Sequence, residues 1–247
     1  MRLARVCLVV AACCFVTVRA GATELGTFEP LSTTVDGETR AGAVYIPANY
    51  DADSKYPLIV FLHGSGERGN DGMGQTTVGI GKAIRENPER FPCIVYMPQC
   101  ATDDNWAQRP GRNESTAHAH IAAGIDAVID TYSIDQDRIS LTGLSMGGGG
   151  TFVHGALNPD RFSAYAAICG RGSKRLAEPL SKRPLWAIHG DADSVIPLHT
   201  SEMMVSAIRE LGGDAKLTVY EGVGHNSWDR AYAPEQGLVE WLLAQSR

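Results

Sequence analysis

The fold of this chain is decided by one stretch of sequence: Ile139-Ser140-Leu141-Thr142-Gly143-Leu144-Ser145-Met146-Gly147-Gly148-Gly149-Gly150-Thr151-Phe152. It opens with a β-type apolar run and leads into a helical pattern that stops near Asn158-Pro159. A side chain that projects from a sharp turn between a strand and a helix needs small residues two positions before and after it. Gly143 and Gly147 stand at those positions around Ser145. The stretch therefore predicts a strand, an exposed serine hydroxyl and a helix in direct succession.

Short apolar runs alternate with helical patterns on both sides of this stretch. Such alternation predicts an α/β fold with a mostly parallel sheet and helices on both faces. Residues 27–33 and 40–46, joined across Asp36-Gly37, predict an antiparallel hairpin at the start of the sheet. Six further runs are near-continuously apolar, as expected for strands covered on both faces. They are residues 58–62, 94–97, 139–142, 165–168, 185–188 and 217–220.

The composition is that of one globular domain with a sizeable core, because 44% of the 247 residues are hydrophobic and 20% are charged. The 22 basic and 28 acidic side chains give a net charge of −6. The first 22 residues contain three arginines and no acid, so the remainder carries 19 basic against 28 acidic side chains. This acidic balance argues against nucleic acid or anionic lipid as a partner.

The N-terminus has the pattern of an export signal. Two arginines precede an apolar run over residues 6–18, and Ala20-Gly21-Ala22 has the small residues that a signal peptidase accepts. We therefore expect residues 1–22 to be a signal peptide and residues 23–247 to form the exported domain. The run is too short to span a bilayer comfortably and no second one follows, so no transmembrane segment is expected. Val10-Ala11-Ala12-Cys13 also resembles a lipoprotein box, which would place a lipid anchor at Cys13.

Three cysteines lie beyond the signal: Cys93, Cys100 and Cys169. Their number is odd, so at least one thiol is unpaired. Cys93 and Cys100 bracket one predicted strand, and about seven residues at roughly 3.3 Å each separate them beyond the reach of a disulfide. We expect all three to be buried small apolar residues.

A serine nucleophile needs a base, and the base needs an acid that fixes its tautomer. Asp191 and Asp193 follow the predicted strand 185–188, and His225 follows the predicted strand 217–220. Both strands are expected to end at the same edge of the sheet as the serine turn. Spacing alone leaves the choice between Asp191 and Asp193 open. The other histidines show no metal-binding pattern, and His63 and His189 are expected to be core histidines that end strands.

A glycine-rich segment follows the predicted strand 58–62 and begins His63-Gly64-Ser65-Gly66-Glu67-Arg68-Gly69. Glycines there let the backbone approach a substrate closely, as we expect for Gly64. The N–H of Met146 is a candidate to stabilise negative charge that develops on a carbonyl oxygen. A phosphate-binding loop is the competing interpretation, but the segment lacks the required GxxxxGK[ST] spacing. Nucleotide binding is therefore not expected, and the spacing of the histidines predicts no metal site.

Together these motifs resemble the secreted bacterial α/β-hydrolases that are labelled predicted peptidases, which are similar to the phospholipase/carboxylesterase, feruloyl-esterase and polyhydroxybutyrate-depolymerase-like groups. The resemblance is carried by residues 56–69, Met97-Pro98-Gln99-Cys100 with Trp106, residues 137–148 and Gly224-His225-Asn226-Ser227-Trp228. It implies the α/β-hydrolase fold with an eight-stranded sheet and no cofactor. It also implies specific roles: Ser145 as nucleophile, Asp193 rather than Asp191 as acid, His225 as base, and the N–H groups of Ser65 and Met146 as oxyanion donors.

Residues 170–184 are too few to hold a large lid domain, so the site is expected to be open. An open site suits short acyl groups or side-chain esters on a polymer. Candidate walls of the substrate pocket are Trp106, Arg171 and Trp228. The favoured hypothesis is an exported serine esterase that cleaves small-molecule or polymer-linked esters. A small-peptide amidase with the same triad and a non-catalytic binding module are the alternatives.

Overall fold

A computed structural model describes residues 26–108 and 116–247. Within these residues the chain forms one sheet of eight strands. In chain order the strands are β1 (Thr27–Val35), β2 (Glu38–Ile46), β3 (Tyr56–Leu62), β4 (Ile94–Pro98), β5 (Ile134–Leu144), β6 (Ala164–Ile168), β7 (Leu185–Gly190) and β8 (Ala215–Tyr220).

The strands lie in the order β1-β2-β4-β3-β5-β6-β7-β8. β1 and β2 form the predicted antiparallel hairpin, and β2 pairs antiparallel with β4. Asp36 and Gly37 make its turn with φ angles of 49° and 83°, the region that Asp and Gly tolerate at a tight hairpin turn. The remaining pairs are all parallel. The predicted α/β fold with a mostly parallel eight-stranded sheet is confirmed.

Seven α-helices pack around the sheet in the described residues. They are α1 (Gly79–Glu86), α2 (Ala117–Thr131), α3 (Met146–Leu157), α4 (Ala177–Leu180), α5 (His199–Glu210), α6 (Trp228–Tyr232) and α7 (Leu238–Leu243). The core has two apolar clusters, one with buried residues of α2, α3, α4 and α5 and the other with buried residues of α1, α6 and α7. Both faces of the sheet are therefore covered, as the continuous apolar strands predict.

The last strand differs from the expectation that it is covered on both faces. β8 is an edge strand, and Lys216 and Val219 on it are exposed. The Lys216 ammonium lies 3.2 Å from the centre of the Trp186 ring. A charged side chain on an edge strand discourages pairing with another chain, which explains why this strand is less apolar than the central ones.

The connection between β6 and β7 spans residues 169–184 and contains only a short 3₁₀ turn and α4. No additional domain is inserted there. Nothing in this connection therefore covers the carboxyl edge of the central strands as a large lid would.

Cys93, Cys100 and Cys169 are free and buried, as predicted. Burial raises the pKa of the Cys100 and Cys169 thiols to about 12. The expected signal peptide over residues 1–22 and the candidate lipidation site Cys13 lie outside the described residues. In the part that is described, no helix has the length and apolar character needed to cross a membrane.

Candidate active site

Ser145 occupies the turn between β5 and α3. Its φ of 53° and ψ of −115° are unusual for a residue with a side chain and cost roughly 1–3 kcal/mol. The backbone is held there because the Ser145 N–H donates to the carbonyl of Ile168 at 2.9 Å, and the Gly149 N–H donates to the Ser145 carbonyl at 3.0 Å. The turn lies at the carboxyl edge of the sheet, where open parallel sheets bind their ligands.

The two glycines that frame Ser145 are required by close packing. A side-chain carbon on Gly143 would collide with the carbonyl of Gly147, and one on Gly147 would collide with the carbonyl of Leu62. The start of α3 therefore lies directly against the end of β3. This is the steric reason for which the sequence predicts small residues at both positions.

His225 and Asp193 meet Ser145 from two other strands. His225 follows β8, and its Nε2 lies 2.9 Å from Ser145 Oγ. Asp193 follows β7, and its Oδ2 lies 2.7 Å from His225 Nδ1. A carboxylate only accepts hydrogen bonds, so Nδ1 carries the hydrogen and Nε2 is free to accept the serine proton. This arrangement has the geometry that a nucleophile, a general base and an orienting acid need.

The Asp193 side chain is fully buried. Its Oδ1 accepts the backbone N–H groups of Val195 at 2.8 Å and Ile196 at 2.9 Å. Burial alone raises the pKa of Asp193, but the hydrogen bonds from His225 and from these two N–H groups outweigh it and hold the pKa below its ordinary value of 3.8. The carboxyl group is thus ionised at neutral pH and accepts the hydrogen bond that His225 Nδ1 donates.

Asp191, the alternative acid, has a different role. It is exposed, and its Oδ1 accepts the backbone N–H of Gly222 at 2.7 Å. This hydrogen bond joins the loop after β7 to the loop after β8. The structure thus places Asp193, and not Asp191, against the imidazole of His225.

The predicted oxyanion donors flank Ser145. Met146 is the first residue of α3, so its N–H has no partner within the helix. Ser65 begins a 3₁₀ turn over Ser65–Glu67. A side-chain carbon on Gly64 would lie 3.7 Å from Cβ of Ser145, so the Gly64–Ser65 peptide lies beside the serine.

Two residues for which the sequence predicted no role hold this loop in place. Gln99, buried directly after β4, donates from Nε2 to the Glu67 carbonyl at 3.0 Å and accepts the Gly72 N–H on Oε1 at 2.7 Å. Arg68 donates to the carbonyls of Ser65 and Thr102, each at 3.1 Å. A polar residue at the end of a buried strand is the signal that points to Gln99, because buried amides need partners.

Trp106 does not form a pocket wall, which corrects the expectation that it contacts substrate. Only 1% of its surface is exposed, and its Nε1 donates to the His63 carbonyl at 3.0 Å. His63 in turn accepts the Cys100 N–H on Nε2 at 3.0 Å, and its Nδ1 donates to the Gly64 carbonyl at 2.6 Å. Burial lowers the pKa of His63 to about 4, so this ring is neutral. Trp106 and His63 are therefore buried under the loop that begins at Gly64, and their hydrogen bonds hold its backbone.

Trp228 and Arg171, the other two candidate walls, lie at the surface near the site. Trp228 is partly exposed, and its ring meets the His225 ring edge to face at a centroid distance of 5.5 Å. Arg171 is exposed and follows β6, and its carbonyl oxygen lies close to Gly149 on α3. Both residues therefore remain accessible from the open side of the sheet edge.

One group of metal-ligating atoms occurs at the site. Cys169, Asp193 and His225 each offer one atom within 4.8 Å of the others. Asp193 Oδ2 and His225 Nδ1 are hydrogen-bonded to each other at 2.7 Å. Burial raises the pKa of Cys169, so its thiol stays protonated. The group is therefore better described as a hydrogen-bonded pair beside a buried thiol than as a vacant ligand set.

Comparison with known proteins gives the family. Residues 32–234 match the model of the family Esterase, described as "Putative esterase". The chain belongs to this esterase family. Its reaction class is therefore carboxylic ester hydrolysis, and the resemblance to α/β-hydrolase esterases is confirmed.

Individual proteins are also similar to this chain. The chain is 26% identical over 198 residues to acyl-protein thioesterase 1 of Neurospora crassa, covering 68% of this chain and 80% of the relative. It is 26% identical over 156 residues to "Probable feruloyl esterase C" of Aspergillus terreus, covering 62% of this chain and 54% of the relative. A solved structure of a thermostable esterase superposes with a TM-score of 0.80 at 32% identity, covering 89% of this chain and 63% of that one.

Proposed function

We propose that this chain hydrolyses carboxylic esters through an acyl-enzyme on Ser145, with His225 as general base and acid and Asp193 as the orienting carboxylate. The observation that carries the proposal is the continuous hydrogen-bonded chain of 2.9 Å from Ser145 to His225 and 2.7 Å from His225 to Asp193. A serine hydroxyl is a weak nucleophile by itself, and an adjacent imidazole activates it by removing its proton.

In the first half of the reaction, Ser145 Oγ attacks the ester carbonyl carbon while His225 Nε2 takes the hydroxyl proton. The carbonyl oxygen becomes an oxyanion, which the N–H groups of Ser65 and Met146 stabilise in a preorganised way. The intermediate collapses when the bond to the alcohol oxygen breaks. His225 then donates its proton to that oxygen, and the alcohol leaves.

In the second half, water attacks the carbonyl carbon of the acyl-enzyme. His225 removes a proton from this water, and the same two N–H groups stabilise the second oxyanion. The bond to Ser145 Oγ breaks, His225 returns the proton to the serine, and the acid is released. Asp193 stays ionised and fixes the imidazole in the tautomer that accepts on Nε2.

The substrate that suits this open site is an ester whose alcohol or acyl part extends away from Ser145, such as a side-chain ester on a polymer. The short connection between β6 and β7 places no additional domain over Ser145. The partly exposed Trp228 ring offers an apolar surface next to the general base. Arg171 is an exposed cation in the connection that follows β6. An aromatic acyl group such as the one named in the feruloyl esterase relative would pack on Trp228.

We propose further that residues 1–22 direct export and are removed, leaving the catalytic domain over residues 23–247. The basic start, the apolar run and Ala20-Gly21-Ala22 support this proposal. Mass spectrometry of the protein from the producing cells distinguishes a mature chain that begins after Ala22 from a lipidated chain that begins at Cys13. An intact chain that starts at Met1 would contradict both routes.

The reaction is tested with 4-nitrophenyl acetate and 4-nitroacetanilide, which share the acyl group and differ in the bond cleaved. We expect ester turnover to dominate, and Ser145→Ala to lower kcat/KM by about 10⁴-fold or more. A fluorophosphonate should label the native chain on Ser145. Serine-dependent anilide turnover of comparable efficiency would indicate an amidase instead.

Ser163→Ala is the matched control. Ser163 is buried, and its hydroxyl donates to the carbonyl of Ile139 in the middle of β5, away from the turn at Ser145. The control variant should keep its turnover, so a general effect of losing a serine hydroxyl is excluded. Ester turnover that survives in folded Ser145→Ala, or fluorophosphonate labelling at another serine, would contradict the proposed mechanism.

A further inference from the structure

His189, at the end of β7, makes contacts that its position in the sequence does not suggest. Its ring is fully buried. Nε2 lies 3.2 Å from Asp193 Oδ2 and 2.8 Å from the Ile196 carbonyl oxygen. Nδ1 lies 2.7 Å from Oγ of Ser201 on α5. Every polar atom of this ring therefore has a partner, and one partner is the proposed catalytic acid.

These partners define which nitrogen donates. Nε2 faces a carboxylate and a carbonyl, which both only accept hydrogen bonds, so Nε2 carries a hydrogen. The Ser201 hydroxyl is buried and can donate to Nδ1. Ser201 thus holds the ring with the Nε2 hydrogen bonded to the Ile196 carbonyl, on the side of the ring that lies against Asp193.

His189 lies beside the groups that donate to Asp193. The N–H groups of Val195 and Ile196 engage Oδ1, while His225 and His189 both approach Oδ2. Because the Asp193 side chain is fully buried, water cannot replace a donor that is removed. A buried acceptor that loses a partner is no longer compensated for its removal from water, which destabilises it. The carboxylate also gains freedom to rotate about its χ2 bond.

We propose that His189 is a positioning residue for the catalytic acid: its Nε2 holds the Ile196 carbonyl and lies against Oδ2 of Asp193. This arrangement keeps Oδ2 against Nδ1 of His225, so that His225 keeps Nε2 directed at Ser145. The inference rests on the proposed function, because it assigns His189 a role through Asp193. The competing interpretation is a core histidine that only packs β7 against α5.

Two substitutions separate these interpretations. His189→Gln places an amide N–H near the position of the Nε2 hydrogen, whereas His189→Leu fills the volume without any donor. A polar contact that holds a buried charged group corresponds to roughly a 10- to 100-fold effect. We expect His189→Leu to lower kcat by about that factor with KM within about twofold of the native value. His189→Gln should recover most of the loss, whereas a packing role predicts equal effects of the two variants.

A second readout does not depend on turnover. The proton shared by His225 Nδ1 and Asp193 gives a low-field ¹H NMR resonance, which can be recorded in the inactive Ser145→Ala background. We expect His189→Leu to shift or broaden this resonance and His189→Gln to retain it. If Ser145→Ala kept full turnover, the proposed function would fail, while the resonance would still test the contact between His189 and Asp193.

His154 provides the matched control. It is a second fully buried histidine, and it lies on α3, where Nδ1 contacts His118 Nδ1 at 3.2 Å. His154→Leu and His154→Gln should lower stability without changing kcat or the resonance. If His189→Leu does not fold, Ser201→Ala tests the same contact, with an expected kcat loss of about threefold to tenfold. Native kcat and an unchanged resonance in His189→Leu, or equal losses in both His189 variants, would overturn the proposal.

Discussion

Gly147 packs so closely against the carbonyl group of Leu62 that a side-chain carbon at position 147 would overlap the carbonyl oxygen. This contact joins the first turn of α3 to the end of β3. It therefore sets where Ser145 lies relative to the loop that begins at Gly64. The nucleophile turn and the proposed oxyanion loop are positioned by one backbone contact.

Gly147→Ala should destabilise the protein and displace Ser145. Overpacking a tight contact costs roughly 1–3 kcal/mol, which lowers Tm by about 2–12 °C in a domain of this size. kcat should fall more than KM changes, because the distance from Ser145 to His225 would no longer be maintained. Differential scanning calorimetry and steady-state kinetics measure both effects. Gly66→Ala is the control for Tm, because a side-chain carbon at Gly66 meets nothing within 4 Å. A native Tm in Gly147→Ala would contradict the argument.

Asp193→Asn should lower kcat by about 10⁴-fold with little change in Tm at neutral pH. An asparagine amide can donate to His225 Nδ1, which favours the tautomer with the hydrogen on Nε2, and that nitrogen then cannot accept the serine proton. Asp191→Asn is the matched control, because its amide oxygen can still accept the Gly222 N–H. Kinetics on the same ester should show nearly native kcat for Asp191→Asn. Equal losses in the two variants would show that the acid has been misassigned.

Gln99→Leu should lower kcat about tenfold or more with an unchanged KM. The substitution removes the hydrogen bonds from Gln99 to Glu67 and Gly72 that hold the loop carrying Ser65. Removal of an oxyanion donor costs about 10²–10³-fold, and a displaced donor should cost less. The affinity for a trifluoromethyl ketone, which forms an oxyanion on the enzyme, should fall in parallel. Gln75→Leu is the control: Gln75 is also buried in this loop, but its Nε2 donates to the Gly72 and Met97 carbonyls. The same loss in both variants would indicate general loosening of the loop.

Stability should decrease as pH falls below neutrality because of buried neutral histidines. Burial lowers the pKa of His154 to about 3 from its ordinary value of 6.5. Below pH 6.5 the unfolded chain therefore binds a proton that the folded chain excludes, so the free energy of unfolding falls until pH reaches about 3. His154→Leu should reduce the loss of stability between pH 7 and pH 4 by about 2–3 kcal/mol. Urea denaturation at a series of pH values measures this, and an unchanged slope in the variant would contradict the assignment.

Trp228→Ala should raise KM for a feruloyl ester by about tenfold while leaving KM for the acetyl ester of the same alcohol within about twofold. The expected difference reflects the loss of an aromatic contact, roughly 0.5–1.5 kcal/mol, together with the apolar area that it buries. Trp241→Ala is the control, because Trp241 is also partly exposed but packs on Trp186 near the edge strand. Equal KM values for both esters in Trp228→Ala would show that Trp228 does not contact the feruloyl group.

The sheet was largely predictable from the sequence because its strands are continuous apolar runs and its first turn is Asp36-Gly37. The edge strand β8 was less predictable, since a run such as residues 217–220 does not indicate whether another strand lies beyond it. The candidate site was predictable in outline, because residues that follow parallel strands meet at one edge. No role in the site was predicted for Gln99 or His189: Gln99 was named only within a motif that carries the resemblance, and His189 was expected to be a core histidine.

The sequence by itself determined the elements and the chain order of the candidate residues, because apolar periodicity and the small residues around Ser145 act over a few neighbouring positions. Only the tertiary structure decided which side chains touch. It placed Asp193 rather than Asp191 against His225 and put Trp106 under the loop instead of at its surface. Those contacts join loops that follow different strands. They depend on how the strands pack side by side, which no local pattern specifies.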